Sequence, residues 1–387
     1  MKDLLFKEVE SLKPELCKMS DQIFDNPETC FNEKFASNLL EDYLEKNGFE
    51  VERGLGNLNT AFRATFKNKN ADFNIGLLCE YDALDMGHGC GHQMQGPSIV
   101  GAAVAIKNIL KDYNYNLIVY GTPAEEGGGG KIKLIDQGFI KELDIALMMH
   151  GGPATQVDVK SMANSSRIVT FYGKSAHAAL KPEDGRSALD ALLLAFNGVE
   201  FLREHVKEDT RMHYTISEYP GPANTVPKKA VARFSIRSYN SKYLNELVER
   251  FENIIKGAAL MTGTTYENIE DRRLESKIPS YILNDLLMNN AKMVNAPNIK
   301  PAREKTGSTD FGNVTYIIPG SCIRVAFVPE GTSSHSQEFL DAGKSENAHD
   351  CIEYAAKILS ATVFDLVENN KLIPEIKKEF KDYKDKM

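Results

Sequence analysis

Cysteine, histidine and paired glutamates standing at the ends of short apolar runs are the side chains in this sequence best equipped for chemistry. Cys90 and His92 belong to Glu80-Tyr-Asp-Ala-Leu-Asp-Met-Gly-His-Gly-Cys-Gly-His92, directly after the apolar run Ile75 to Cys79. Glycines 87, 89 and 91 clear side chains from between the functional groups and let the backbone turn tightly, so a thiol and an imidazole can point at one place. A thiolate and an imidazole at a strand-to-helix turn suit a borderline-soft divalent metal. Taken alone, the stretch reads first as a buried structural cysteine beside a surface histidine.

Two further strand ends change that balance. The run Leu117 to Tyr120 ends in Gly121-Thr-Pro-Ala-Glu-Glu-Gly-Gly-Gly-Gly130. Of its adjacent carboxylates, Glu126 can bind a cation while Glu125 is held close enough to handle a proton. The glycines do not read as a phosphate cradle, because neither the P-loop Lys-Ser/Thr nor the G-x-G-x-x-G spacing accompanies them. The run Ile145 to Met149 then delivers His150. Three successive strand ends bearing Cys90 with His92, Glu126 and His150 form a constellation, and His335 can supply a last ligand.

The elements that must position these groups follow from periodicity. Residues 3 to 24 and 34 to 47 read as amphipathic helices, the second closed by Asn47-Gly48. Val51 to Phe66 alternates as a strand, Ile75 to Cys79 feeds the glycine loop, Pro97 opens a helix running to Leu110, and Asn116 to Thr122 is another strand. Strands alternating with helices predict an α/β fold, a mostly parallel sheet with helices on both faces, whose functional groups gather beyond the carboxyl ends of the strands. After Val159 the pattern changes to strand, helix, two strands, helix, strand, a ferredoxin-like β-α-β-β-α-β module with His177 in its first loop. The expected division is 1–163 and 276–387 for the main domain and 164–275 for an inserted lid or dimerisation domain. The helices from Asn347 to about Asn369 close the main domain, and the lysine-rich tail beyond is expected to be solvated or frayed.

Whole-chain properties narrow the function classes. The 387 residues exceed one compact core, and a formal charge of -8 argues against a nucleic-acid partner. The N-terminal 18 residues lack the apolar core of a signal peptide, and no run is long and apolar enough to span a membrane. Six irregularly spaced cysteines without a C-x-x-C pair point to reduced thiols and a cytoplasmic protein. His88, His205, His213 and His349 have no partner pattern and read as structural or surface groups.

Glu80-Tyr-Asp-Ala-Leu, Gly89-Cys-Gly-His92, Pro123-Ala-Glu-Glu126, Gly173-Lys-Ser-Ala-His-Ala-Ala179, Ala223-Asn-Thr-Val-Pro227 and Gly307-Ser-Thr-Asp-Phe-Gly-Asn313 occur in this order. Together they resemble the aminoacylase and carboxypeptidase-G family of two-metal amidohydrolases over nearly the whole chain. The best-matched subgroup carries Cys-Gly-His and contains aminobenzoyl-glutamate hydrolase B subunits, auxin-conjugate hydrolases and Xaa-Arg or β-alanyl-lysine dipeptidases. The resemblance implies two divalent cations per chain, zinc or manganese with cobalt also tolerated. It places Cys90 at the bridging position that an aspartate fills elsewhere in the family, with His92, Glu126, His150 and His335 as the other ligands. Glu125 falls on the general base, Asp82 on the aspartate that orients metal-bound groups, and His177 on a histidine sent across a dimer interface to the oxyanion. Asn224 and Arg237 fall on the substrate-carboxylate clamp, and Gly307 and Ser308 on the substrate side.

The expected reaction is hydrolysis of an amide bond in a dipeptide or an N-acyl amino acid with a free carboxylate, by a homodimer formed through the inserted domain. The Gly307 to Asn313 stretch favours dipeptides; an N-acyl amino acid deacylase is the alternative, and a non-catalytic dimeric binding homologue is the rival of another class. Asp85-Met-Gly and Gln93-Met-Gln depart from the subgroup's usual Pro-Gly-Ile-Gly and Asp or Asn, and both line the metal loop.

Overall fold

Largely apolar stretches of six to eight residues build the centre of this protein as buried parallel strands. The computed structural model describes residues 1–69, 71 and 73–386. It divides into two compact units, 1–160 with 278–386, and 161–277.

The first unit carries an eight-stranded sheet. Its strands are β1 (Glu50–Arg53), β2 (Phe62–Asn68), β3 (Asn74–Cys79), β4 (Tyr115–Gly121), β5 (Ile145–Gly152), β6 (Gln156–Ser161), β11 (Arg303–Thr306) and β12 (Gly320–Ala326). They lie in the order β1-β2-β4-β3-β5-β12-β6-β11. The pairs β4–β3, β3–β5 and β5–β12 are parallel, whereas β1–β2, β2–β4 and β12–β6 are antiparallel. The four parallel strands therefore lie side by side, with their carboxyl ends along one edge. Helices Lys2–Asp25, His92–Ile109 and Glu346–Glu368 bury Leu5, Leu16, Val100, Ala103, Ile352 and Leu359 in a core shared with Ile75, Leu77, Leu147 and Ile323. Helices Gly130–Asp136 and Phe311–Ile317 cover Tyr120, Met148 and Cys322 in a second cluster. Each fully buried Leu or Ile contributes about 1.5–3 kcal/mol, so these two layers fix the sheet.

The second unit is a four-stranded antiparallel sheet of β7 (Ala163–Tyr172), β8 (Arg211–Ile216), β9 (Lys229–Ser238) and β10 (Thr265–Leu274), in the order β10-β7-β9-β8. Helices Ala188–Arg203 and Ser241–Thr262 pack on it through Leu192, Ala195, Leu247 and Phe251. Ser187 and Asn240 cap them by accepting from Asp190 N–H and Tyr243 N–H, and Gly263, left-handed at φ 66°, ends the second. The order of strands and helices is the β-α-β-β-α-β pattern read from sequence.

Four expectations are corrected. The single strand over 51–66 is two, because Gly54, Gly56 and Asn57 adopt left-handed φ and turn the chain between β1 and β2. The helix assigned to start at Pro97 starts at His92, so Pro97 lies in its second turn. His150 lies inside β5 rather than after it. The C-terminal tail is a helix, Leu372–Lys386, that docks Ile373 and Ile376 into the main core. Among the described residues no helix is long and apolar enough to cross a membrane.

Candidate metal centre

The four parallel strands deliver the site. Cys90 and His92 follow β3, Glu125 and Glu126 follow β4, His150 is near the end of β5, and His335 follows β12. After Cys79 the chain runs through buried Glu80 and Asp82, then turns at Gly87 (φ 103°) and Gly91 (φ 82°), conformations a side chain would strain. Gly91 caps the next helix, whose first residue is therefore His92.

Two imidazoles are locked by hydrogen bonds at Nδ1. His92 Nδ1 lies 3.0 Å from the Asp82 carbonyl and 3.1 Å from its Oδ1. His150 Nδ1 donates to Gly151 O at 2.7 Å. Donation at Nδ1 leaves Nε2 as the lone pair that a metal takes. Asp82 also accepts from the Glu126 N–H at 2.9 Å through Oδ2, which joins the glycine loop to the Glu-Glu turn. That turn is set by Ala124, left-handed at φ 59°, whose carbonyl accepts from the Gly128 and Gly129 N–H groups. His335, also left-handed at φ 66°, donates its backbone N–H to Gly89 O at 2.8 Å and brings Nε2 to 3.3 Å from Glu126 Oε1.

Donor atoms of Cys90, His92 and His150 lie within 4.8 Å of one another, as do those of Cys90, Glu126 and His335, and those of His92, Glu125 and Glu126. Cys90 is the member common to the first two groups, and its Sγ is 3.5 Å from His150 Nε2. Sulfur, imidazole nitrogen and carboxylate oxygen form a mixed set suited to borderline divalent cations. The buried His92 Nε2 makes no hydrogen bond of good geometry among the described residues, although Glu80 Oε2 is 3.3 Å away. The residues fit a metal centre: two donor groups that meet at Cys90 could each hold a divalent cation.

Charge supports the same reading. Burial, against the opposing pull of His92, pushes the Cys90 thiol up to about 12, with Glu126 and Glu125 adding to the rise. A neighbouring cation is what would make it a thiolate. Burial, with Arg324 and His92 nearby, lowers His150 to about 3 and keeps it neutral, as a ligand must be. Burial beside Glu80 and Asp310 raises Glu125 to about 8.

A fourth group is wholly acidic: donor atoms of Glu80, Glu125 and Asp310 also lie within 4.8 Å of one another. Here an ammonium is already present: Lys131 Nζ donates to Glu80 Oε1 at 2.6 Å and to Asp310 Oδ1 at 2.7 Å. This pairing holds Glu80 down to about 2 despite its burial.

The remaining sequence candidates divide between the two units. Gly307 and Ser308 stand just before Asp310 in the first unit, and Ser308 Oγ is buried without a hydrogen-bond partner among the described residues. His177, Asn224 and Arg237 belong to the second unit. There the His177 and Asn224 loops touch, through a bridge from His177 to Thr225 and Ala178 N–H donating to Asn224 O at 3.0 Å. Arg237, on β9, donates from Nε to Ser235 Oγ at 3.1 Å, and no carboxylate pairs with it among the described residues. Of the histidines set aside, His88 is buried against Ile23 O and His349 pairs with Asp21 at 2.9 Å.

Sequence reasoning passed over Lys131, the side chain of Glu80, and Arg324. Arg324 Nη1 lies 3.2 Å from His150 Nδ1 while its Nε donates to Asp158 Oδ2 at 2.9 Å. The one available signal was the position of Arg324 near the end of an apolar strand.

The profile of "Peptidase family M20/M25/M40" matches residues 78–363. The B subunit of the p-aminobenzoyl-glutamate hydrolase of Escherichia coli K12 is 30% identical, covering 97% of this chain and 94% of that protein. The Xaa-Arg dipeptidase of Mus musculus is 31% identical, covering 96% and 90%. Among solved structures, an aminobenzoyl-glutamate utilization protein from Klebsiella pneumoniae superposes with a TM-score of 0.73 at 19% identity, covering 92% and 98%. The YXEP protein of Bacillus subtilis, described as a dinuclear metal-binding peptidase of family M20, gives 0.70 at 17% identity, covering 93% and 99%. Profile and relatives span most of the chain and the donor set converges within it, so this chain belongs to peptidase family M20/M25/M40 and is a metal-dependent amidohydrolase.

Proposed function

We propose that the protein is a dipeptidase that cleaves an amide bond next to a free carboxylate, with Glu125 as general base and Cys90, His92, Glu126, His150 and His335 as ligands of two divalent cations. The observation that carries this reading is the pair of donor groups meeting at Cys90 with Glu125 adjoining them. The thiolate favours zinc, and the carboxylate and imidazoles tolerate manganese or cobalt. When bound, the cations supply Lewis-acid polarisation of the scissile carbonyl and a water of lowered pKa. Glu125 removes a proton from the attacking water and returns it to the leaving amine, two roles that suit a carboxyl raised toward neutrality. Asp82 keeps His92 in one tautomer and one orientation throughout.

To the inserted unit we assign the groups that meet substrate charge: His177 for the developing oxyanion, and Asn224 with Arg237 for the free carboxylate. His177 would act across a homodimer formed through that unit. Gly307 leaves open space where a side chain would stand, and we assign the neighbouring Ser308 hydroxyl, buried without a hydrogen-bond partner among the described residues, to the substrate side. The dipeptide preference, with a basic C-terminal residue, rests on the Xaa-Arg dipeptidase relative and on the Gly307 to Asn313 stretch. A cytoplasmic location would keep Cys90 reduced.

The test is amine release from Xaa-Arg and Xaa-Lys dipeptides, N-acetyl amino acids and N-acyl glutamates, with and without chelator. Cleavage of the basic dipeptides that chelator abolishes is expected. A clear preference for N-acetyl amino acids would make the protein an aminoacylase-type deacylase. No turnover by metal-replete protein would leave the rival reading, a dimeric binding homologue.

A further inference from the structure

Lysine is almost never fully buried unless it is paired, and Lys131 has no exposed surface. Its Nζ spans Glu80 and Asp310 at 2.6 and 2.7 Å, and its backbone N–H donates to Asp310 Oδ2 at 3.2 Å. The third carboxylate of this group is Glu125, within 4.8 Å of the other two. Three carboxylates so close would attract a cation, and the cation present is an ammonium tethered to the fold.

The tether is firm. At Gly130 the backbone passes so near the Pro123 carbonyl that a Cβ would lie 2.0 Å from its oxygen, which fixes the start of the helix bearing Lys131. On its other side Glu80 accepts from Gln95 Nε2 at 2.7 Å and faces His92 Nε2 at 3.3 Å. One ammonium thus joins the end of β3, the segment ending at Asp310 and the neighbourhood of Glu125.

We propose that Lys131 is a placeholder cation: it occupies the Glu80, Glu125 and Asp310 group, denies that group to a divalent ion, and so keeps Glu125 available to move protons instead of being consumed as a ligand. Lys131 is a positioning residue, acting through Glu80 and Asp310. The Cys90-centred donor set remains the place where metal loads. This inference rests on the hydrolase reading for its kinetic consequence, but its metal consequence does not depend on any substrate.

The experiment replaces Lys131 with methionine, which keeps length and apolar stem while removing the charge. Chelated parent and Lys131→Met proteins are reloaded with manganese or zinc, dialysed and counted by elemental analysis. Lys131→Met is expected to hold one more equivalent per chain than the parent, with kcat down at least about tenfold and KM within about threefold. A folded Lys131→Met protein with the parental metal count and kcat within about threefold overturns the proposal.

Should the single variant not fold, Lys131→Met/Asp310→Asn removes one charge of each sign. It is expected to hold the parental metal count, because only Glu80 and Glu125 remain charged, and still to turn over at least about tenfold more slowly. Parental kcat in that variant would mean that Lys131 merely balances Asp310, and would also overturn the proposal. If the parent itself cleaves nothing, the hydrolase reading fails, while the metal counts still decide the role of Lys131.

Discussion

Replacing Glu125 with glutamine separates the two carboxylates of the Glu-Glu turn by function. Glutamine keeps the shape of the side chain and cannot accept the proton. A positioned general base is worth about 10²–10⁴ in rate, or roughly 3–5 kcal/mol at about 1.4 kcal/mol per factor of ten. Glu125→Gln should therefore lower kcat by at least about a hundredfold on the best dipeptide. Metal content should not change, because Cys90, His92, Glu126, His150 and His335 are all retained. The same change has a signature that needs no substrate. Burial beside Glu80 and Asp310 raises the Glu125 carboxyl from 4.5 to about 8, so the folded metal-free protein holds a proton that the unfolded chain has released. That contribution to stability is complete below about 4.5 and is lost as pH climbs through about 8. Chelated parent protein should lose thermal stability across that window, and Glu125→Gln should lose less. Steady-state kinetics, elemental analysis and thermal melts at several pH values read all three outcomes. A variant that retains more than about a tenth of the parental kcat has no need of this base. One that loses metal would mean that Glu125 is a ligand and that the roles of the two glutamates are exchanged.

Other perturbations follow from the same geometry. Asp82→Ala removes the carboxylate that faces His92 Nδ1 and accepts from the Glu126 N–H, leaving His92 only the backbone carbonyl of residue 82, and should weaken zinc binding about 10–100-fold by titration calorimetry; unchanged affinity would mean that neither ligand needs that carboxylate for orientation. Cys90→Asp should keep both cations and measurable turnover, whereas Cys90→Ala should lose metal by elemental analysis, since an aspartate could serve both donor groups in place of the proposed thiolate. Ile376→Ala should cost about 2–4 kcal/mol in denaturant unfolding, because Ile376 is fully buried; a cost below about 0.5 kcal/mol would show the C-terminal helix undocked.

The donor residues were legible because each stands on, or follows, a short apolar run, and a parallel sheet aligns the ends of such runs. Cys90, Glu126 and His150 needed only that rule, since β4, β3 and β5 are neighbours in the sheet. His335 did not follow from it: it lies nine positions past β12 on a left-handed turn, so the sequence offered it as a last ligand without a strand end to place it. The tail after Asn369 was misread because its lysines and acids dominate the composition, while the four-residue repeat of Leu372, Ile376 and Phe380, with Ile373 beside it, makes an apolar stripe. The break between β1 and β2 had its signal in Gly54-Leu-Gly-Asn57, three left-handed residues within an alternating pattern.

Lys131 was illegible for a different reason. In Lys-Ile-Lys-Leu-Ile its spacing matches that of Lys133, an ordinary surface lysine, and its partners are 51 and 179 residues away. Local pattern reveals groups that carry their chemistry with them, such as a thiol or an imidazole at a strand end. It does not reveal a charge whose whole meaning comes from carboxylates supplied by other segments. The acid-rich half of this site is therefore the half where sequence reading is weakest. There, on our proposal, the balance between a fixed ammonium and an exchangeable divalent cation decides whether Glu125 can work as a base.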